Sequence, residues 1–372
     1  MGLLSKKGGE FYSLADILKF DATYNFIIGM RGNGKTFACL EYILDEYIKN
    51  GHAGAIIRRF DLEIIGNKGM QMYSAFVVNK KGNFIEQKTG GKFNDFVYRN
   101  RQFYLCKKNQ ETGEIESYDM NAFAYTFAIS QQEHYKSISY PTIYTALFDE
   151  VITRDGYLEN EFVDFQNLLS TIIRDKVGFK IFMCANTINK YCPYFDEMGL
   201  NHVKEQKKGT IDLYTYGNSQ LKVAVEYTPT LQKIKKVNDM YFAFDNPKLK
   251  MITEGEWEID IYPHLPYKYQ LIDVVFKFYV EFSGEMFCGE VVSKGDEMFA
   301  FIHRKTTPIT ETEYPVYTTK IVPNWNYTRK FFKPTNKAQE LVLKLYQKEQ
   351  FYYQDNSIGE TLRNYLMWSE TL

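Results

Sequence analysis

Between Gly29 and Thr36 the chain reads Gly-Met-Arg-Gly-Asn-Gly-Lys-Thr, and no other stretch restricts its fold as tightly. The pattern G-x-x-x-x-G-K-T works only where a strand stops, turns sharply and enters a helix. Both flanks supply that context. Tyr24–Ile28 is an apolar run of strand length, and Phe37, Leu40, Ile43, Leu44, Tyr47 and Ile48 recur at helical spacing before a stop signal at Gly51. Glycines let backbone N–H groups wrap a polyphosphate, and the helix adds its positive end. Gly29, Met30, Arg31, Gly32, Asn33, Gly34, Lys35 and Thr36 are therefore the expected nucleotide-binding residues. Lys35 bridges to the β- and γ-phosphates, and Thr36 holds Mg²⁺ through its hydroxyl, so ATP and Mg²⁺ are the expected ligands.

A second element completes a hydrolytic site. Ile143–Phe148 is an apolar strand that ends in Asp149-Glu150. Asp149 suits the magnesium shell, and Glu150 suits the general base that polarises the attacking water. Asn186 follows the next apolar strand, 179–184, where a polar side chain can sense the γ-phosphate. Strands at 24–28, 53–57, 121–129, 143–148 and 179–184 alternate with helical stretches at 36–50 and 162–173. That alternation predicts an α/β core with a mostly parallel sheet.

Residues 85–120 interrupt the alternation. They are polar, carry turn signals, and predict an insertion with a hairpin around Arg99-Asn100-Arg101. After about residue 200 the character changes. The expected division is an ATPase domain at 1–199, a linker module at 200–249 and an α+β domain at 250–372, with long strands from Leu271 and helices near the end. Net charge is only −1, so nucleic-acid binding would have to come from local patches such as Lys204, Lys207 and Lys208 or Lys233, Lys235 and Lys236. The five cysteines show no metal-binding spacing, no apolar run reaches the ~20 residues of a membrane span, and no signal peptide opens the chain. A soluble protein of a reducing compartment without membrane contact is expected.

Several cations could act across a subunit boundary, where γ-phosphate hydrolysis gains from added positive charge. Arg174 follows the 162–173 helix, where a cation also suits the helix C-terminus. Lys136 lies in a polar loop before the Asp149 strand, where a solvated lysine is equally natural. Arg31 lies within the phosphate loop itself. Arg58-Arg59 end a strand on the nucleotide edge and could serve the site or a buried ion pair.

Taken together, these segments resemble the DNA-packaging ATPases of phi29-like tailed phages and, more distantly, large terminase subunits. The likeness covers about residues 20–197. Its carriers are 24–36, Ile57–Phe60, Lys136-Ser137 with Tyr140-Pro141, Phe148–Glu150, Thr171–Arg174, and Asn186 with Pro193–Phe195. The resemblance implies an additional-strand, conserved-glutamate ATPase core and an RNase H-like C-terminal domain that has lost nuclease function. It implies a homomeric ring, a pentamer, docked on the portal of a procapsid in the host cytoplasm. Double-stranded DNA would thread that ring, and a structural RNA is a further partner of such motors. It also places Arg174 at the family's trans-acting arginine finger, Lys136 at a lysine acting across the interface, and Asp61 where a relative has a lysine.

Nuclease chemistry would need carboxylates converging on two metals. Asp273, Glu281, Glu285 and Glu290 are available, but Phe276-Lys277-Phe278 occupies the middle of the first strand, where an acid would be needed. ATPase activity without nuclease activity is therefore expected. Competing readings are another ring-shaped DNA translocase or helicase, and a nucleotide-gated assembly protein. Asp149-Glu150 argues against the latter.

Overall fold

A computed structural model describes residues 3–4, 11–154, 156–230, 257, 260–265, 268–309 and 314–372. Contacts divide the chain into two compact units, Met1–Thr153 with Asn160–Trp257, and Arg154–Glu159 with Glu258–Leu372.

The first unit is built on an 11-stranded sheet. Its strands are β1 (Leu3–Leu4), β2 (Tyr24–Gly29), β3 (Ala53–Arg58), β4 (Asp95–Arg99), β5 (Gln102–Lys108), β6 (Ile115–Tyr118), β7 (Ala124–Ala128), β8 (Ile143–Asp149), β9 (Lys180–Asn186), β10 (Thr210–Thr215) and β11 (Lys222–Tyr227). The helices are α1 (Lys35–Asn50), α2 (Gly66–Gln71), α3 (Ser74–Val77), α4 (Phe84–Lys88), α5 (Glu161–Ile173) and α6 (Pro193–Glu197). Strands run β1-β10-β11-β2-β9-β8-β3-β7-β5-β4 across the sheet, with β6 on β5. From β11 to β7 every pairing is parallel. Every residue of β2 is buried, as a central parallel strand covered on both faces requires. α1 buries Cys39, Leu40, Ile43 and Leu44 in the core and ends at Gly51, whose φ of 71° forms the left-handed cap.

The stretch expected as an insertion is antiparallel. β4 and β5 form the anticipated hairpin, and Asn100 and Arg101 turn it with φ of 51° and 61°. β6 adds to the free end of β5. The stretch expected as a linker module is different in kind. β10 and β11 pair antiparallel, and β11 joins β2 in parallel, so 210–227 belong to the first unit's own sheet. Val223, Ala224 and Val225 are fully buried there, which ties this stretch to the core of the first unit. Alternation along 211–227 announces strands but does not say which sheet they join.

The second unit carries a six-stranded sheet in the order β16-β15-β12-β13-β14-β17. Its members are β12 (Val274–Phe282), β13 (Glu285–Lys294), β14 (Glu297–Arg304), β15 (Val316–Thr318), β16 (Tyr327–Thr328) and β17 (Phe351–Tyr353). β12, β13 and β14 form an antiparallel meander, turned at Ser283-Gly284 as the sequence suggests. β15 and β17 add in parallel at either side. α7 (Lys337–Gln347) and α8 (Asn356–Glu370) have the N-cap side chains Asn336 and Asp355, which accept the N–H groups of Gln339 and Ile358. Among the described residues no helix is long and apolar enough to cross a membrane.

Candidate nucleotide site

β2 runs into the glycine loop, and the loop runs into α1. Gly34 makes the turn as the helix N-cap with φ of 92°, a left-handed value that suits glycine. Gly29 is needed for a different reason. A Cβ there would lie 1.9 Å from Thr228 Oγ1, so the end of β11 presses against the loop. Thr228 Oγ1 also accepts from Asn33 Nδ2 at 3.0 Å, and the backbone N–H of Tyr12 donates to Asn33 O at 2.9 Å. The Tyr12 hydroxyl donates to buried Glu226, whose carboxyl burial pushes up to about 7. Tyr12, Glu226 and Thr228 thus brace the loop from segments that belong to no motif.

Lys35 is buried inside the loop. Its ammonium donates to Met30 O at 2.8 Å and, each at 3.2 Å, to Gly29 O, Asn33 Oδ1 and Asn186 Oδ1. Burial lowers its pKa to about 8, against the pull of nearby acidic groups. Asn186 reaches Lys35 because β9 lies between β2 and β8, with Asn186 level with Gly29.

At the tip of β8, Asp149 is buried and accepts from the Thr36 hydroxyl at 2.9 Å. Burial raises its carboxyl pKa, and Arg58 is the foremost influence in the other direction. The two adjacent arginines separate cleanly. Arg58 turns to the tip of β8 and meets Asp149 at 2.8 Å and Glu150 at 2.9 Å. Arg59 turns into the core, pairs with Glu161 at 2.7 Å, and donates to the carbonyls of Glu150 and Val151. Glu150 itself has φ of 63° and a side chain that is 53% exposed. Arg31, Thr36, Asp149, Glu150 and Asn186 line one cleft of about 550 Å³.

Arg174 and Lys136 lie elsewhere. α5 returns from the C-terminal end of β8 to the N-terminal end of β9, and Arg174 caps it there. Its guanidinium donates to Ile138 O at 2.9 Å, on the loop that carries Lys136. Lys136 pairs with Glu133 at 2.5 Å. Arg174 therefore lies near the strands' N-terminal edge, away from the cleft of its own subunit, and Lys136 stands on the loop whose carbonyl Arg174 holds. Asp61 pairs with Arg101 at 2.6 Å. Lys204, Lys207 and Lys208 stand between α6 and β10 on the first unit, while Lys233, Lys235 and Lys236 lie outside the described residues.

Residues 7–235, more than half of the chain, match the family described as Podovirus DNA encapsidation protein (Gp16). The chain belongs to that family. It is 27% identical over 188 residues to the DNA packaging protein of Bacillus phage phi29, and 29% identical over 189 residues to that of Bacillus phage B103. These matches take in 50% of this chain and 49% and 50% of those proteins, so they span about half the length of the relatives. Two solved structures share the fold over nearly the whole chain. The Phi-28 gp11 DNA packaging motor superposes with a TM-score of 0.56 at 18% identity, covering 98% of this chain and 99% of that one. The bacteriophage Phi-29 genome packaging motor assembly gives 0.55 at 20% identity, covering 98% and 100%.

Proposed function

We propose that this chain is an ATPase subunit of a motor that drives double-stranded DNA into a viral procapsid. One observation carries the reading. In a chain of the DNA-encapsidation family, β2, β9 and β8 bring the Lys35 loop, Asn186 and the Asp149-Glu150 pair to a single cleft.

ATP binds with its phosphates along 29–36. Lys35 exchanges its four protein oxygens for phosphate oxygens. A hydroxyl and a carboxylate, Thr36 and Asp149, already in contact at 2.9 Å, are the hard oxygen donors that fit Mg²⁺. When bound, the ion would supply charge neutralisation at the β- and γ-phosphates. Glu150 leaves Arg58 to orient and deprotonate the attacking water, and Asn186 follows the γ-phosphate. This is the plan of an additional-strand, conserved-glutamate ATPase. Arg174 cannot serve the cleft of its own subunit from the opposite edge of the sheet. It acts on a neighbour's nucleotide in a homomeric ring, a pentamer by resemblance, with Lys136 beside it.

The second sheet is a meander with parallel strands added beside its first member, and this order supports reading the second unit as an RNase H-like domain. Among the described residues its strand acids each hold a separate partner. Glu281 pairs with Lys320, Glu285 with Arg304, Glu290 with Lys277, and Asp273 accepts the Gln270 N–H. That dispersal supports a domain without nuclease activity. DNA, the portal and a structural RNA are the proposed partners of the whole chain, with Lys204, Lys207 and Lys208 of the first unit facing phosphate.

The test is ATP hydrolysis with and without double-stranded DNA, for the wild type and Glu150→Gln. Wild type should hydrolyse ATP faster with DNA, and Glu150→Gln should bind ATP without turning it over. A wild-type chain that does not hydrolyse ATP ends the motor reading.

A further inference from the structure

We propose that Cys288, Glu290 and His303 form a binding site for one thiolate-seeking divalent metal ion, zinc in the first instance, on one face of the second sheet. β13 and β14 set Cys288 directly opposite His303. Glu290 lies two residues further along β13 and so shares that face. One donor atom from each of the three lies within 4.8 Å of the others, and His303 Nε2 is 3.9 Å from Glu290 Oε1. Zinc bonds of about 2.0–2.3 Å at tetrahedral angles put donor atoms roughly 3.3–3.8 Å apart. Binding requires the three side chains to turn inward by that difference, from strands whose pairing already sets Cys288 against His303.

The surroundings already suit a ligand set. His303 Nδ1 lies 3.2 Å from Arg304 O. A carbonyl oxygen only accepts, so in the neutral ring Nδ1 carries the proton and the Nε2 lone pair faces Glu290. Backing one ring nitrogen with a carbonyl is the usual support of a metal-bound histidine. Glu290 Oε2 accepts from the Tyr269 hydroxyl at 2.6 Å, and Tyr269 packs against Phe299 and Phe301. That fixes the carboxylate and leaves Oε1 to the ion. Cys288 is buried while the His303 side chain is 30% exposed, so the site is closed behind and open in front.

A cation already occupies this corner. Lys277 Nζ lies 3.3 Å from Glu290 Oε1 and competes for the same oxygen. Thiolate, imidazole and carboxylate together select zinc or cobalt over magnesium, which takes oxygen ligands. Three protein donors leave the fourth position to water or to a partner's donor atom. Among the described residues this is the one cluster of its kind.

The test is a titration of the full metal-free chain with Co²⁺ followed by absorption. One equivalent should raise a thiolate-to-cobalt band in the near ultraviolet together with the visible bands of four-coordinate cobalt, and Zn²⁺ should erase both. Cys288→Ser should remove the near-ultraviolet band. Tyr269→Phe, which leaves every donor in place, should weaken binding about 10- to 100-fold. Lys277→Met should tighten it. The proposal is overturned by a wild type without the band, by a band that survives Cys288→Ser, or by Tyr269→Phe and Lys277→Met chains that both bind as the wild type does.

Discussion

The Arg58 guanidinium lies 2.9 Å from the Glu150 carboxylate and, through its other terminal nitrogen, 2.8 Å from Asp149. One cation therefore holds the expected general base and the expected metal-shell acid together. Removing it should act on the buried acid first. Arg58 is the foremost influence keeping the Asp149 carboxyl from rising further. Arg58→Ala should therefore move the acid limb of the ATPase pH profile to higher pH. It should also cost about 2 kcal/mol, the scale of a hydrogen bond to a buried charge, or roughly 4–8 °C in melting temperature for a unit of this size. A pH–rate profile and a thermal melt read both effects, and an unmoved acid limb would show that Asp149 does not depend on Arg58.

Lys35 gives a pH dependence of opposite sense. Its pKa in the nucleotide-free cleft is about 8, below the ordinary lysine value, because burial disfavours the ammonium. Above that pH the cleft holds a neutral amine. Polyphosphate favours the charged form, so binding above pH 8 must take up a proton, and affinity must fall as pH rises. Calorimetry at pH 8.5 in buffers of different ionisation enthalpy should show this uptake, approaching one proton at higher pH. Lys35→Arg should abolish it. An uptake of zero in the wild type contradicts the assignment.

For Arg174 the expected signature is complementation. Arg174→Ala should leave nucleotide binding by a single subunit intact and lower turnover of the assembly by about 10³-fold or more, the scale of an arginine finger. Lys35→Ala subunits should bind no nucleotide but still carry Arg174. Mixing the two inactive variants pairs an intact cleft with an intact arginine at some interfaces, so activity should return. Mixtures that stay inactive at every ratio rule out action in trans.

Gly29 and Thr228 should be coupled. Gly29→Ala places a methyl group 1.9 Å from Thr228 Oγ1, and overpacking of this kind costs about 1–3 kcal/mol. Thr228→Ala removes the obstructing oxygen. The double variant should be less damaged than the sum of the single ones, in stability and in ATP affinity. Additive losses in both would mean that β11 does not press on the loop.

Much of this site was legible because its parts are contiguous. The Gly29–Thr36 loop and Asp149-Glu150 each declare themselves within a few residues of an apolar run. The insertion hairpin was legible too, because Asn100 and Arg101 fall between alternating segments. The split between Arg58 and Arg59 was not. Adjacent side chains on a strand point to opposite faces, but both read as a cation at a strand end. Thr228 and Glu226 could not be found either, since they reach the loop from about two hundred residues away in sequence. For the same reason β10 and β11 looked like a separate module. Local alternation carries no address for the neighbouring strand.

The hydrogen bond from Asn33 to Thr228 gives the phosphate loop a mechanical outlet. Thr228 directly follows the last residue of β11, so the strand that flanks β2 also holds one side chain of the loop. A shift of β11 along β2 is therefore opposed by two things in parallel: the ladder between the two strands, and this single side-chain contact to the loop. Strand register and loop shape thus meet at one asparagine, so two settings of β11 against β2 should present different loops to the same ATP.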